Sequence, residues 1–265
     1  MKILFFGDIV GNRGMTAVSD VLPFLAKRYE ADLIIANGEN ASQGFGLTHR
    51  DCLALKEMGV DVITLGNHWR TRKSIDDDLE AIDTLVRPHN VRDYDLGQGY
   101  VSLDVNGVPV TVSNLLGTAF MKEEVNSPSA SMHEILDEAP EGVHIVDYHA
   151  ESTSEKSLFA HYFDGMVSAV LGTHTHVQTA DARILPQGTG FISDVGMCGA
   201  YESVIGFEPQ SVIDRIYFNG PNPMRVDDEA EAMVNAVLLD IDEQTYLCKA
   251  ITPLVYVNGK ERSHG

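Results

Sequence analysis

With 265 residues, 44% of them hydrophobic, the chain can bury a sizeable core in one large domain or two small ones. A formal net charge of −20 at pH 7 excludes a protein that coats nucleic acid through basic patches, and it leaves a small anionic substrate open if metal ions supply positive charge locally. The three cysteines, Cys52, Cys198 and Cys248, form no close pair and no Cys-x-x-Cys, so they read as free core thiols of a reducing compartment.

The apolar run Ile3-Leu4-Phe5-Phe6 reads as a buried strand, and Gly7-Asp8 cuts it too early for a signal peptide. A helix follows, with Val18, Leu22 and Leu25 at i, i+4 and i+7 and with Pro23 inside as a source of a kink. Residues 32–36 form a second buried strand that ends in Asn37-Gly38-Glu39-Asn40. Thr48 with Asp51 opens a helix, and Gly59 stops it. Residues 61–65 form a third strand ending in Gly66-Asn67-His68. Ser74 then caps a helix that turns Leu79 and Ile82 inward. Asp76, Asp77 and Asp78 fall in its first turn and read as a solvent face matched to the helix dipole.

Between Tyr100 and Ser113 the pattern alternates about Asn106-Gly107, the signature of an antiparallel hairpin. Residues 117–140 read as an excursion with one helix between Pro128 and Pro140. Buried strands return at 143–147, ending in Tyr148-His149, and at 166–171, ending in Gly172-Thr173-His174-Thr175-His176; a helix at 154–162 lies between them. A short strand at 191–193 ends at Asp194, residues 195–209 read as a loop, and 232–241 with 246–257 read as a terminal hairpin. No run approaches the ~18 apolar residues of a membrane span. One cytoplasmic, soluble domain is expected, with monomer and homo-oligomer both open.

Short buried strands alternating with helices predict a parallel sheet with helices on one face, and ligands bind beyond the carboxyl ends of such strands. Those ends carry Asp8, Glu39 with Asn40, Asn67 with His68, His149, and His174 with His176. Each has an ordinary explanation alone, such as an Asx turn for Asp8 or a core histidine for His149. Together they predict one metal site. The donors are oxygen and imidazole without thiolate, which suits iron, manganese, zinc or cobalt. They are too many for one tetrahedral ion, and two ions bridged by a carboxylate would use the set.

At these positions the chain resembles the calcineurin-like metallophosphoesterases, whose pattern is Asp-x-His, Gly-Asp-x-x-Asp, Gly-Asn-His-Glu/Asp, a lone His and Gly-His-x-His. Here the matching stretches are Gly7-Asp8-Ile9-Val10, Asn37-Gly38-Glu39-Asn40, Gly66-Asn67-His68-Trp69, Tyr148-His149 and Gly172-Thr173-His174-Thr175-His176. Val10, Glu39 and Trp69 depart from that pattern. With Ser193-Asp194-Val195-Gly196-Met197 downstream, the departures look like the YmdB-type branch, whose resemblance is to phosphodiesterases of cyclic nucleotides.

The resemblance implies a single-domain, four-layer α/β/β/α metallophosphatase-like sandwich. In it the antiparallel segments 100–113 and 232–257 would belong to the second sheet. It implies that Asp8, Glu39, Asn40 and His176 hold a first metal and that Glu39, Asn67, His149 and His174 hold a second, most readily iron, with manganese or zinc as alternatives. A metal-bridging hydroxide would hydrolyse a small phosphodiester, foremost a 2′,3′-cyclic nucleotide or else a 3′,5′-cyclic one, with His68 as general acid. The alternatives are a phosphomonoesterase or nucleotidase, and a slow-turnover metal-dependent regulator that binds a nucleotide.

Overall fold

Hydrophobic periodicity sets most element positions in the computed structural model, which describes residues 1–262. In chain order these are β1 (Lys2–Phe6), β2 (Asp8–Ile9), α1 (Gly11–Tyr29), β3 (Leu33–Asn37), α2 (His49–Glu57), β4 (Val62–Thr64), α3 (Ile75–Ala81) and β5 (Leu85–Val86). Next come β6 (Tyr100–Val105), β7 (Val108–Leu116), α4 (Pro128–Glu138), β8 (Val143–His149), α5 (Thr153–Tyr162) and β9 (Ala169–Thr173). The rest are β10 (Arg183–Ile184), β11 (Gly190–Ile192), β12 (Met197–Ala200), α6 (Pro209–Tyr217), β13 (Ala232–Ile241), β14 (Cys248–Val257) and β15 (Lys260–Glu261).

Two sheets stack face to face. The first runs β15-β14-β13-β1-β3-β4-β5, with β12 and β2 joined to it through β13. The second runs β10-β11-β9-β8-β7-β6. Alternate side chains of a strand face opposite ways, and the cores follow that rule. Ile3 and Phe5 enter the core between the sheets, with Val143 and Ile145 of β8 opposite. Leu4 and Phe6 enter the core shared with Val18, Leu22 and Leu25 of α1, Leu55 of α2 and Leu79 of α3. Val146 and Tyr148 face the other way, onto Ile135 of α4 and Phe159 of α5. The layers are therefore α/β/β/α.

The four-layer sandwich implied by the resemblance is the one that forms, whereas the single parallel sheet read from the apolar pattern is corrected to two sheets, between which the candidate ligands divide. Asp8 of β2 and the loops after β3 and β4, with Glu39 and Asn67, come from the first sheet, whereas His149 ends β8 and His174 follows β9 in the second. The antiparallel segments also separate: β6 and β7 edge the second sheet, while β13 inserts beside β1 in the first. Residues 195–209 contain β12, which pairs Met197 with Asp8 and so buttresses the first strand end. Thr48 caps α2 through Asp51 N–H as the sequence predicts, but Ser74 makes no side-chain cap bond. Asp78 is not solvated either; it is buried and binds Nδ1 of His49 at 2.5 Å. α1 runs through Pro23, which sits on its exposed side.

The loop after β9 is held from beneath. Lys156 of α5 is fully buried, and its Nζ donates to Asp194 Oδ2 at 2.8 Å. Asp194 also accepts from Thr175 N–H at 3.0 Å and Gly196 N–H at 2.8 Å. A Cβ on Gly172 of β9 would lie 1.8 Å from the Ser193 carbonyl oxygen, so β9 and the segment after β11 meet backbone to backbone only because that side chain is missing. Breaking a buried pair leaves an uncompensated charge, at a cost of about 3–5 kcal/mol. Lys156→Ala is expected to lower the urea unfolding midpoint accordingly, and Lys156→Met combined with Asp194→Asn to recover most of the loss. An unchanged midpoint in Lys156→Ala would remove the pair from the supports of this loop.

Candidate metal centre

The strand ends of both sheets converge on one enclosed set of polar groups. Asp8, Glu39, Asn40 and His149 are buried, His176 is 8% exposed, and His174 and His68 are only partly covered. Two groups of side chains share Glu39. On one side Nε2 of His176 lies 3.9 Å from Asp8 Oδ1 and 3.2 Å from Asn40 Nδ2. On the other, Nε2 of His149 lies 2.8 Å from Asn67 Oδ1 and 3.1 Å from Nδ1 of His174. Glu39 Oε1 stands between them, 3.1 Å from His149 Nε2 and 3.1 Å from Asn40 Nδ2. One ligand atom each from Glu39, His149 and His174 falls within 4.8 Å of the others, a spacing that one ion could span.

Each of the three histidines turns one ring nitrogen into this space and has the other fixed from outside. Nδ1 of His149 is 2.9 Å from Thr173 Oγ1, whose hydroxyl donates to Asp147 Oδ1 at 2.6 Å. Nε2 of His174 pairs with Glu151 Oε2 at 3.2 Å. Nδ1 of His176 donates to the Ile205 carbonyl at 3.0 Å. Metal-ligating histidines are held in this way almost without exception, because the outer hydrogen bond fixes tautomer and ring orientation.

The charges fit a cation as well. Burial raises the Asp8 carboxyl, and its Oδ1 has no hydrogen-bond partner. Burial would also raise Glu39, but the charge and hydrogen bond of His149 outweigh it and hold the carboxyl low. Burial works against protonation of His149 too, yet Glu39 raises it. Burial and then the charge of His149 push His174 down to about 3. Enclosed carboxylates demand positive charge, which a proton on His149 can supply singly and metal ions more fully.

His68 stands apart from both groups. Its backbone N–H donates to Glu39 Oε2 at 2.8 Å, while its ring lies near Thr71 and meets Phe45 edge-on with centroids 5.1 Å apart. Asn40 differs from the sequence reading in one respect: its amide nitrogen faces His176 and Glu39, whereas Asn67 presents its oxygen inward. Val10 packs against the loop of Gly206, where an added Cβ would sit 2.5 Å from Val10 Cγ1. Trp69 turns away from the centre into the core beneath α1, edge-on to Tyr94 at 4.6 Å.

Several supporting residues escaped the sequence reading. Asp147 is fully buried and accepts from Thr64 Oγ1 at 2.5 Å and Asn37 Nδ2 at 2.9 Å as well as from Thr173. A carboxylate inside the apolar run 143–148 was the available signal. Gly66 is needed for room, since a Cβ there would lie 2.4 Å from Glu39 Oε2 and from His149 Cε1. Glu151 and Ile205 carry no sequence mark of their role.

Known proteins resemble this chain over nearly its whole length. A family profile described as "YmdB-like protein" matches residues 4–254. The chain is 41% identical over 247 residues to the 2′,3′-cyclic-nucleotide 2′-phosphodiesterase of Bacillus subtilis (strain 168), covering 92% of this chain and 93% of that one. The crystal structure of a hypothetical protein from Thermus thermophilus superposes with a TM-score of 0.90 at 40% identity, over 97% of this chain and 99% of the other. That of a novel phosphatase from Mycoplasma pneumoniae gives 0.91 at 35% identity, over 100% and 95%. The chain belongs to the YmdB-like family.

Proposed function

We propose that the protein is a metal-dependent phosphodiesterase of small phosphodiesters, with 2′,3′-cyclic nucleotides as its first substrates and 3′,5′-cyclic ones as the second. The observation that carries this reading is the set of three histidines, each fixed from outside and turned inward on a shared, buried Glu39. The activity named for the Bacillus relative supports the diester, and so does Glu151. That carboxylate, half exposed beside His174, repels a dianionic monoester more strongly than a monoanionic diester.

Asp8, Glu39, Asn40 and His176 would hold one ion and Glu39, Asn67, His149 and His174 the other, with Asn40 offering its amide oxygen. Iron, manganese and zinc all suit these donors. Bound there, two ions would supply Lewis acidity, polarising the phosphoryl oxygens and lowering the pKa of a water. The chain itself encloses the reacting group, excludes bulk water and brings His68 to the leaving side. Hydroxide from a water would add to phosphorus as the P–O2′ bond breaks, and His68 gives its ring proton to the departing ribose oxygen, leaving a nucleoside 3′-phosphate.

Protein purified without chelator is expected to contain about two metal ions per chain, with iron or manganese prominent. Glu39→Gln removes a negative charge that serves both groups and is expected to lose both ions together. Gly66→Ala, which pushes Glu39 and His149 apart, is expected to fold yet bind metal more weakly. A single zinc per chain, fully retained in Glu39→Gln, would sink the two-ion reading.

General acid catalysis is typically worth ~10²–10⁴-fold. His68→Ala is expected to lower kcat by about that factor at unchanged metal content. The loss should shrink for a nitrophenolate leaving group, which departs without a proton. An equal loss on good and poor leaving groups would take His68 out of the general-acid role, and loss of one metal would make it a ligand.

A further inference from the structure

Phe45 is a large apolar side chain at the mouth of the centre, and the proposed chemistry does not use it. It lies on the loop between Glu39-Asn40 and α2 and remains 36% exposed. Gly44 and Gly46 on either side both adopt left-handed backbone, with φ of 81° and 79°. This turn puts Phe45 at its tip. Arg72 then fastens the turn from the His68 side: its guanidinium donates to the Ser42 carbonyl at 3.1 Å, to Gln43 Oε1 at 3.2 Å and to the Phe45 carbonyl at 3.3 Å. The Phe45 and His68 rings meet edge to face, with interplanar angle 82°. Behind it, Phe207 is buried and tilted by 39° at 5.4 Å. Phe207 is paired with Val204 next to Ile205, whose carbonyl holds His176. The ring is thus backed and oriented, yet partly open to solvent, beside the residue that serves the leaving group.

We infer that Phe45 is the platform on which the nucleobase of the substrate stacks, an inference that rests on the phosphodiesterase reading above. In a 2′,3′-cyclic nucleotide the base is carried on C1′, next to C2′, whose oxygen departs toward His68. The base therefore lies on the His68 side of the phosphate, where Phe45 stands. A neutral aromatic face gains from stacking on any base, so the site would favour nucleotides over base-free diesters without strong choice among bases. A ring packed on Phe207 and carried by a turn that Arg72 pins also loses little freedom on binding.

Stacking of a base on an aromatic side chain is worth about 1–3 kcal/mol, or roughly 5- to 150-fold in affinity. The test compares kcat/KM for adenosine 2′,3′-cyclic phosphate with that for glycerol 1,2-cyclic phosphate, which has the strained diester and no base. Phe45→Ala is expected to lower this ratio roughly 5- to 150-fold, mainly through KM of the nucleotide. Phe45→Leu keeps apolar packing on Phe207 but offers no flat face; it should behave as Phe45→Ala does, while Phe45→Tyr should keep the wild-type ratio. A wild-type ratio in Phe45→Ala, or in Phe45→Leu, overturns the stacking role and leaves the phosphodiesterase reading standing. A wild-type protein that cleaves neither diester overturns the phosphodiesterase reading, and the stacking role with it.

Discussion

Asp147 is the point on which the two sheets agree. It belongs to β8 of the second sheet, yet two of its three side-chain hydrogen bonds come from Thr64 and Asn37 of the first. Burial pushes its carboxyl up to about 6, against the opposing pull of His149 and the three donors. A buried carboxylate that lost any of those donors would carry an unmet desolvation cost, so the arrangement tolerates little sliding of one sheet over the other. The register matters because each sheet brings only half of the candidate ligands. The third donor, Thr173, spends its hydroxyl proton on Asp147 and so receives His149 Nδ1, which leaves Nε2 turned inward.

The same place also carries backbone strain. His174 and His176 both have positive φ, 102° and 65°, which non-glycine residues adopt only when their surroundings impose it. Each such residue costs on the order of 1–3 kcal/mol. The surroundings that impose it are identifiable. Asp8 Oδ2 accepts from His174 N–H at 3.1 Å, Asp194 accepts from Thr175 N–H, and the Ile205 carbonyl fixes the His176 ring. The strained loop lets two histidines, one residue apart, face the same space from the end of an extended strand.

Much of this was legible in the sequence. Strands buried on both faces show as continuous apolar runs, and a polar cluster ending such a run marks the carboxyl end where ligands gather. That is why Asp8, Glu39, Asn67, His149 and His174 could be picked out together. The two sheets followed from the family resemblance, but which strands join which sheet was not legible in the apolar pattern, because a strand buried between sheet and helix reads the same in either sheet. The hairpin of β13 and β14 announces its own pairing, but nothing in its alternation says that β13 will lie beside β1. Lys156 was hidden for another reason: a lysine on a short helix reads as solvated, and only the distant Asp194 makes it a core residue. The first-turn aspartates of α3 misled in the same way, since His49 from α2 claims Asp78.

The charge balance limits how such a pocket can choose its substrate. The chain as a whole repels anions, with a formal net charge of −20. Lys156 is buried near the loop of the two histidines, but Asp194 already meets its charge. In the proposed reading, attraction for a phosphoryl group therefore comes from ions held by Asp8 and Glu39, and it grows with the substrate's charge only until Glu151 and the acidic surface oppose it. A polyanion suffers most from that opposition and a monoanionic diester least. Selection among small diesters must then rest on their uncharged parts. The rim offers an apolar aromatic face for that purpose in Phe45, set beside His68 and stiffened by Arg72.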